Sequence, residues 1–280
     1  MAEEARDAME YDVVIVGAGP AGLSAAIRLK QLAAAAGGEI SVAVLEKGAE
    51  VGAHILSGAV IDPVSLDELI PDWKAKGAPL DTPVSEDRFV VLGPAGAATL
   101  PMFMMPPLMS NHGNYIVSLS NFTKWLGAEA EALGVEIYPG MAASAPVFDE
   151  AGALKGVVAG VFGIAKNGEK KGDYQPGMEL HGKYVLIAEG ARGSLTKGLL
   201  ERYALSKGRD PQKYGIGIKE LWEVPAAQHK PGLVLHTVGW PLDDKTGGGS
   251  FMYHWGERLV SVGYVVHLNY KNPYISPFDE

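Results

Sequence analysis

The sequence predicts a mixed α/β protein: a Rossmann-like dinucleotide-binding unit joined to a mainly antiparallel β subdomain. Three observations predict it. A short β-branched run, three glycines at G-x-G-x-x-G spacing and an Ala/Leu-rich stretch follow one another near the N-terminus. A second β-branched run ends on an acid, Glu46. From about residue 211 onward, strand-like runs recur with turn residues between them and no helical period.

In the N-terminal unit each part has a physical reason. Residues 11–16 (YDVVIV) are short and β-branched, as a buried parallel strand is. Gly17 permits the tight turn, Gly19 lets a pyrophosphate approach the backbone, and Gly22 lets the helix pack closely on the strand. Residues 21–36 read as that helix, whose N-terminus offers N–H groups and a favourable dipole to phosphates. ISVAVLEK is the second strand. Its terminal Glu46, 24 positions beyond Gly22, is placed to accept hydrogen bonds from an adenosine ribose. A carboxylate there disfavours the 2′-phosphate of NADP. The motif by itself does not separate NAD from FAD.

Composition excludes several classes. A formal charge of -9 argues against nucleic-acid binding. The absence of cysteine excludes disulfides, a cysteine nucleophile and any cysteine-held zinc or iron–sulfur site within this chain. The seven histidines are scattered and form no grouping with Asp and Ser, so no catalytic and no metal-ligating residue is assigned. The N-terminus is acidic, unlike a signal or transit peptide, and no window holds 18 clean apolar residues. The expected compartment is the cytoplasm, with or without contact to a membrane face.

Farther along, VGAHILSGAVIDP reads either as a packed loop or as a loop lining the reactive end of a cofactor. A short helix follows, stopped by Pro71, and DRFVVLG is a strand. LPMFMMPPLM, residues 100–109, carries no charge, four methionines and three prolines. It is too short and too proline-broken to cross a bilayer as a helix. Asn121 is expected to cap an amphipathic helix with Phe122, Trp125, Leu126 and Leu133 on one side. Residues of about 141–183 read as a β-excursion with the exposed turn KNGEKKG, and YVLIAEG as a buried strand ending at Gly190, before a helix at 194–203. In TGGGSF, three successive glycines read either as a loose turn or as backbone bared to a flat ligand. The expected divisions are a disordered 1–10, a dinucleotide-binding 11–210, and a second subdomain beginning at 211–280.

Together with the nucleotide unit, the strings GAHILSGAVIDP, PDWKAKGAPLDTPVSEDRF, NHGNYIVSL, EALGVEIYPG, YGIGIKELWEV, HTVGWPLD, GGSFMYHW and NPYISPF resemble the electron transfer flavoprotein–ubiquinone oxidoreductase family, from about Tyr11 to the last residue. The resemblance implies FAD bound in a fold of the glutathione-reductase type, with 211–280 opening a ubiquinone-binding subdomain. It implies electrons taken one at a time from reduced electron transfer flavoprotein and passed through a [4Fe-4S] cluster and FAD to ubiquinone. It implies a monomer, and a monotopic one, whose apolar surface enters one membrane leaflet. LPMFMMPPLM is then a membrane-facing segment, and 52–73 a second candidate.

By the same resemblance, Gly17, Gly19, Gly22, Glu46, Lys47 and Gly190 contact FAD, and Gly248 and Gly249 hydrogen-bond the quinone carbonyls through their backbone. The family's four cluster cysteines and its later Gly-Asp flavin motif are missing, so the match is to the N-terminal half of the family's sequence, with the cluster ligands outside this chain. The implied location is the cytoplasmic side of a bacterial inner membrane, or the matrix side of the mitochondrial inner membrane in a eukaryote. An alternative on the same fold is an FAD-dependent monooxygenase or isoprenoid-lipid reductase using NAD(P)H.

Overall fold

The computed structural model describes residues 6–56 and 58–280. Contacts divide the chain into two compact units, Met1–Ile55 with Phe122–Arg209, and Leu56–Asn121 with Asp210–Glu280. This differs from a division at 210. Residues 56–121 go with the later part of the chain because strand Glu86–Gly93 pairs in parallel with strand Leu233–Gly239.

The first unit is built on a six-stranded sheet. Its order is Glu136–Tyr138, Val42–Leu45, Ala8–Val16, Met178–Ile187, Leu154–Ala159, Ala143–Phe148. The first four strands pair in parallel, and the last two pairings, through Leu154–Ala159, are antiparallel. Most of the expected β-excursion therefore extends the main sheet, and only the Phe162–Ile164 and Lys170–Gln175 pair stands apart. Helix Pro20–Ala35 packs on this sheet, and Val14, Ile15, Leu23, Ile27, Val44 and Leu45 are almost wholly buried. Each such side chain contributes about 1.5–3 kcal/mol through burial.

Three expectations need correction here. Residues 8–10 are strand rather than disorder: Ala8, Met9 and Glu10 pair with Glu179, Leu180 and His181, and Glu10 Oε1 lies 2.8 Å from His181 Nδ1. Residues 1–5, the start of that stretch, lie outside the described ones. The strand containing YVLI is not uniformly buried, since Tyr184 is 71% exposed and Lys183 Nζ donates to Asp12 Oδ1 at the surface. The helix expected from Asn121 spans Leu119–Ala132, with Ser118 Oγ accepting the Asn121 N–H. Asn121 thus sits in the first turn, and Ser118 does the capping. Phe122 and Leu126 are buried as expected, whereas Leu133 lies past the helix and is 40% exposed.

The second unit has a six-stranded sheet of order Gly215–Glu223, Leu259–His267, Gly248–Trp255, Leu233–Gly239, Glu86–Gly93, Gly96–Leu100. All neighbours are antiparallel except the Leu233–Gly239 and Glu86–Gly93 pair. A small sheet of Ala59–Ile61, Tyr115–Val117 and Thr82–Pro83 accompanies it. Ile116, Val234 and Tyr253 form a core, with Val60, Phe251 and Trp255 packed against it.

Replacing Ser118 with Ala removes the cap of the Leu119–Ala132 helix. The expected result is a loss of about 0.5–2 kcal/mol, seen as a lower denaturant midpoint at unchanged m-value.

Candidate functional site

Each unit carries a candidate site, and both are built from backbone. In the first unit the chain leaves strand Ala8–Val16, turns at Gly17 and enters helix Pro20–Ala35. Gly17 has φ +110°, and a Cβ there would meet the Ala188 carbonyl oxygen at 2.4 Å. A Cβ on Gly22 would meet the Gly17 carbonyl oxygen at 2.0 Å. Both glycines are required by the protein's own packing. Gly19 is different: nothing lies within 4 Å of the place its Cβ would take. Protein contacts do not require a glycine there, and the turn is left open on that side.

The helix start has Gly19 as its N-cap with no side-chain capping hydrogen bond, and Pro20 follows. An uncapped helix N-terminus beside open space suits a diphosphate. Glu46, half-buried, faces the same turn: its Oε2 accepts the Ala18 N–H at 3.2 Å and its Oε1 the Gly48 N–H at 2.6 Å. The structure thus brings Gly17, Gly19, Gly22 and Glu46 together. Lys47 is exposed on the adjacent position. Gly190, at φ +79° with nothing within 4 Å of its Cβ position, lies two residues beyond the Ala188 carbonyl that abuts Gly17.

Sequence reading missed Glu189. Its carboxylate accepts the Leu195 and Thr196 N–H groups and the Thr196 hydroxyl, and so caps helix Ser194–Arg202. Burial alone would push this carboxyl up, but those donors outweigh it and hold it below the usual carboxylate range. The spacing from Glu189 to the start of the helix was the available signal.

In the second unit Gly248 and Gly249 open strand Gly248–Trp255 and are not a loose turn. Their φ values are +149° and +157°. A Cβ on Gly248 would meet the Val265 carbonyl oxygen at 2.2 Å, and one on Gly249 the Thr237 carbonyl oxygen at 2.1 Å. Beside Gly249 is a cavity of about 340 Å³, lined among others by Leu92, Thr237, Ser250, Tyr264 and Phe278. Thr237, Ser250 and Tyr264 stand in one row across three neighbouring strands. The Thr237 and Ser250 hydroxyls are 2.5 Å apart, and the Ser250 N–H donates to Thr237 Oγ1. The sequence offered Tyr264 only as part of the strand-like run RLVSVGYVV, with no signal assigning it to a site.

The greasy segment forms two short turns of 3-10 helix, Met102–Met104 and Pro107–Met109. Phe103 and Leu108 are 88% and 99% exposed. In the other membrane candidate, 52–73, Leu66, Ile70 and Trp73 are buried and Trp73 Nε1 donates to Asp67 Oδ1, as in ordinary core, while Leu56 and Val64 are exposed. Among the described residues, no helix is long and apolar enough to cross a membrane.

Comparison with known proteins adds to this geometry. Residues 15–75 match a family model described as an NAD(P)-binding Rossmann-like domain, and residues 214–280 one described as ETF-QO, ubiquinone-binding. A Pseudomonas aeruginosa protein named electron transfer flavoprotein-ubiquinone oxidoreductase is 58% identical over 277 residues, 98% of this chain and 50% of that protein. The chain belongs to the electron transfer flavoprotein-ubiquinone oxidoreductase family. The mitochondrial family member of Mus musculus is 55% identical over 278 residues, 98% of this chain and 45% of its own length. The chain therefore spans about half the length of the curated relatives it matches. Among solved structures, a geranylgeranyl bacteriochlorophyll reductase-like protein from Thermoplasma acidophilum aligns with TM-score 0.61 at 17% identity, over 92% of this chain and 57% of that one. A flavoprotein/dehydrogenase from Cytophaga hutchinsonii aligns with TM-score 0.59 at 19% identity, over 96% and 58%. At such identities these two share with this chain the fold alone, a mixed α/β architecture.

Thermal melts of the ligand-free protein should separate the glycines. Gly22→Ala and Gly17→Ala force backbone apart and should lower the melting temperature by many degrees. Gly19→Ala should lose little beyond the poorer helix cap.

Proposed function

We propose that this chain forms the FAD-binding and ubiquinone-binding parts of a membrane-associated oxidoreductase that carries electrons from reduced electron transfer flavoprotein to ubiquinone. The observation that carries the reading is that the segment similar to the ubiquinone-binding family model, 214–280, supplies every residue lining the cavity beside Gly249 except Leu92.

The residues of the first unit fit FAD. The Gly17–Gly22 turn and the N-terminus of helix Pro20–Ala35 receive the diphosphate, and Glu46 receives the ribose hydroxyls on the oxygens it now turns to the Ala18 and Gly48 amides. Lys47 and Gly190 flank that position. Bound FAD supplies the redox chemistry. In the second unit, backbone groups of Gly248 and Gly249 orient the quinone carbonyls, and apolar side chains such as Leu92 and Ile218 line the space for the ring. Quinone reduction needs position, polarity and two protons rather than a nucleophile.

The [4Fe-4S] cluster does not fit this chain. It has no cysteine, and among the described residues no group of His, Asp and Glu could hold a metal ion. Any such ligands would belong to the half of the relatives' length that this chain does not span.

The proposed membrane contact is the 100–109 segment, on the cytoplasmic face of a bacterial inner membrane or the matrix face of the mitochondrial one, with the protein monomeric. The exposure of Phe103 and Leu108 supports it and makes these two side chains the ones to test. Burial of a Phe or Leu side chain is worth about 1.5–3 kcal/mol. Phe103→Asp with Leu108→Asp should therefore weaken co-sedimentation with liposomes by on the order of a hundredfold, with FAD binding unchanged. Undiminished co-sedimentation would remove this segment from the membrane.

The function is tested by stopped-flow spectroscopy on the purified gene product. Flavin bleaching by reduced electron transfer flavoprotein, followed by reoxidation with ubiquinone-1, is the expected result. Rapid bleaching by NADH or NADPH, with no response to the flavoprotein, would overturn it in favour of a monooxygenase or lipid reductase.

A further inference from the structure

Among the described residues, two buried side-chain polar atoms have no hydrogen-bond partner: Nε2 of His229 and the hydroxyl of Tyr264. Of these two residues, only Tyr264 lines the cavity beside Gly249. Other buried phenols are satisfied. The Tyr253 hydroxyl pairs with His236 Nε2 at 2.8 Å, and that of Tyr11 with Glu136 and Tyr138. An unspent buried hydroxyl destabilises a fold, and phenylalanine would fill the same ring space without it.

The neighbours do not absorb this donor. Ser250, directly opposite Tyr264 on the adjacent strand, is engaged with Thr237. On the other side, Ile218 pairs with Tyr264 and offers only carbon. Of the two carboxylates on the cavity wall, Glu220 accepts Trp222 Nε1, and Glu280 does not hydrogen-bond the phenol. Burial and the nearby Glu280 push the phenol up from its ordinary value, so at neutral pH it is a donor.

The space matches one kind of ligand. Small-molecule sites span roughly 300–1,000 Å³, and about 340 Å³ lies at the lower end, the size of a single substituted ring. The walls are mostly apolar, with Leu92, Ile218, Val262 and Phe278. One unpaired donor in an apolar pocket selects a ring that carries an acceptor oxygen.

On the strength of the quinone reading above, we propose that Tyr264 is a quinone-binding residue, its hydroxyl donating to a carbonyl oxygen of the benzoquinone ring held beside Gly249. The contact gives the glycine backbone a side-chain partner in fixing the ring's rotation. It also makes the empty and occupied states respond oppositely to one substitution.

The test is Tyr264→Phe in the FAD-loaded protein, with ubiquinone-1 as probe. The ligand-free melting temperature should rise by about 2–4 °C. Affinity for ubiquinone-1, followed by calorimetry, should fall roughly three- to tenfold, with the flavin spectrum unchanged. A tetrasubstituted benzene of the same shape without carbonyl oxygens should bind both proteins alike. A raised melting temperature with unchanged ubiquinone-1 affinity would overturn the contact and leave the quinone reading standing. Failure of the unsubstituted, FAD-loaded protein to bind ubiquinone-1 would overturn the quinone reading and this contact with it.

Discussion

Backbone pressed on backbone, with no Cβ between, is the constraint on which both candidate sites depend. In the first unit it is the contact of Gly22 with Gly17 and of Gly17 with Ala188, which seats the helix and the end of strand Met178–Ile187 on one turn. In the second it is the contact of Gly248 with Val265 and of Gly249 with Thr237, which draws three strands together at the cavity wall. A side chain at any of these four places would collide with a carbonyl at 2.4 Å or less. The collision cannot be relieved by a rotamer change, because the obstacle is main chain. Glycine is therefore determined by the fold at these places, and it leaves bare the backbone on which the proposed ligands would rest. Gly19 is the exception, since the fold leaves its Cβ position open.

Polar groups in the second unit are accounted for nearly in full, which gives the few unspent ones their meaning. Ser261, wholly buried, accepts Trp255 Nε1, and Lys219 Nζ donates to the Gly58 carbonyl at 2.7 Å. Burial pulls the Lys219 ammonium below its ordinary value. His236 and Tyr253 satisfy each other, as Thr237 and Ser250 do. In such a tightly paired interior an orphan hydroxyl is a conspicuous departure, and its place on a cavity wall gives it a physical reason.

The nucleotide turn was fully legible in the sequence because all its requirements are local: strand, three glycines, helix, strand and acid occur in order. The antiparallel strands of the second unit were legible from strand-like runs that recur from about residue 211. What was not legible came from distant pairing. Nothing within 86–93 announces that its partner is 233–239, so the unit boundary was misdrawn. Residues 8–10 lack a β-branched pattern and are strand because a distant histidine and strand edge hold them. The helix cap was misplaced by three residues because Ser118 and Asn121 have equal capping chemistry, and only the chain's path chooses between them. Gly248 and Gly249 left two readings open because a run of glycines is compatible with turn and strand alike.

The interleaving of the two units reaches back to the moment of synthesis. The first strand must wait for its partner Met178–Ile187, since Glu10 and His181 are 171 positions apart. At ribosomal rates of roughly 5–20 residues per second, that delay is on the order of ten seconds. During it, residues 8–45 can assemble as strand, helix and strand, but one edge of Ala8–Val16 stays unpaired while the second unit's first segment emerges. An open, β-branched edge recruits whatever strand it meets. The nascent chain is thus most exposed to mispairing between the appearance of its best-formed motif and the arrival of the strand that closes it.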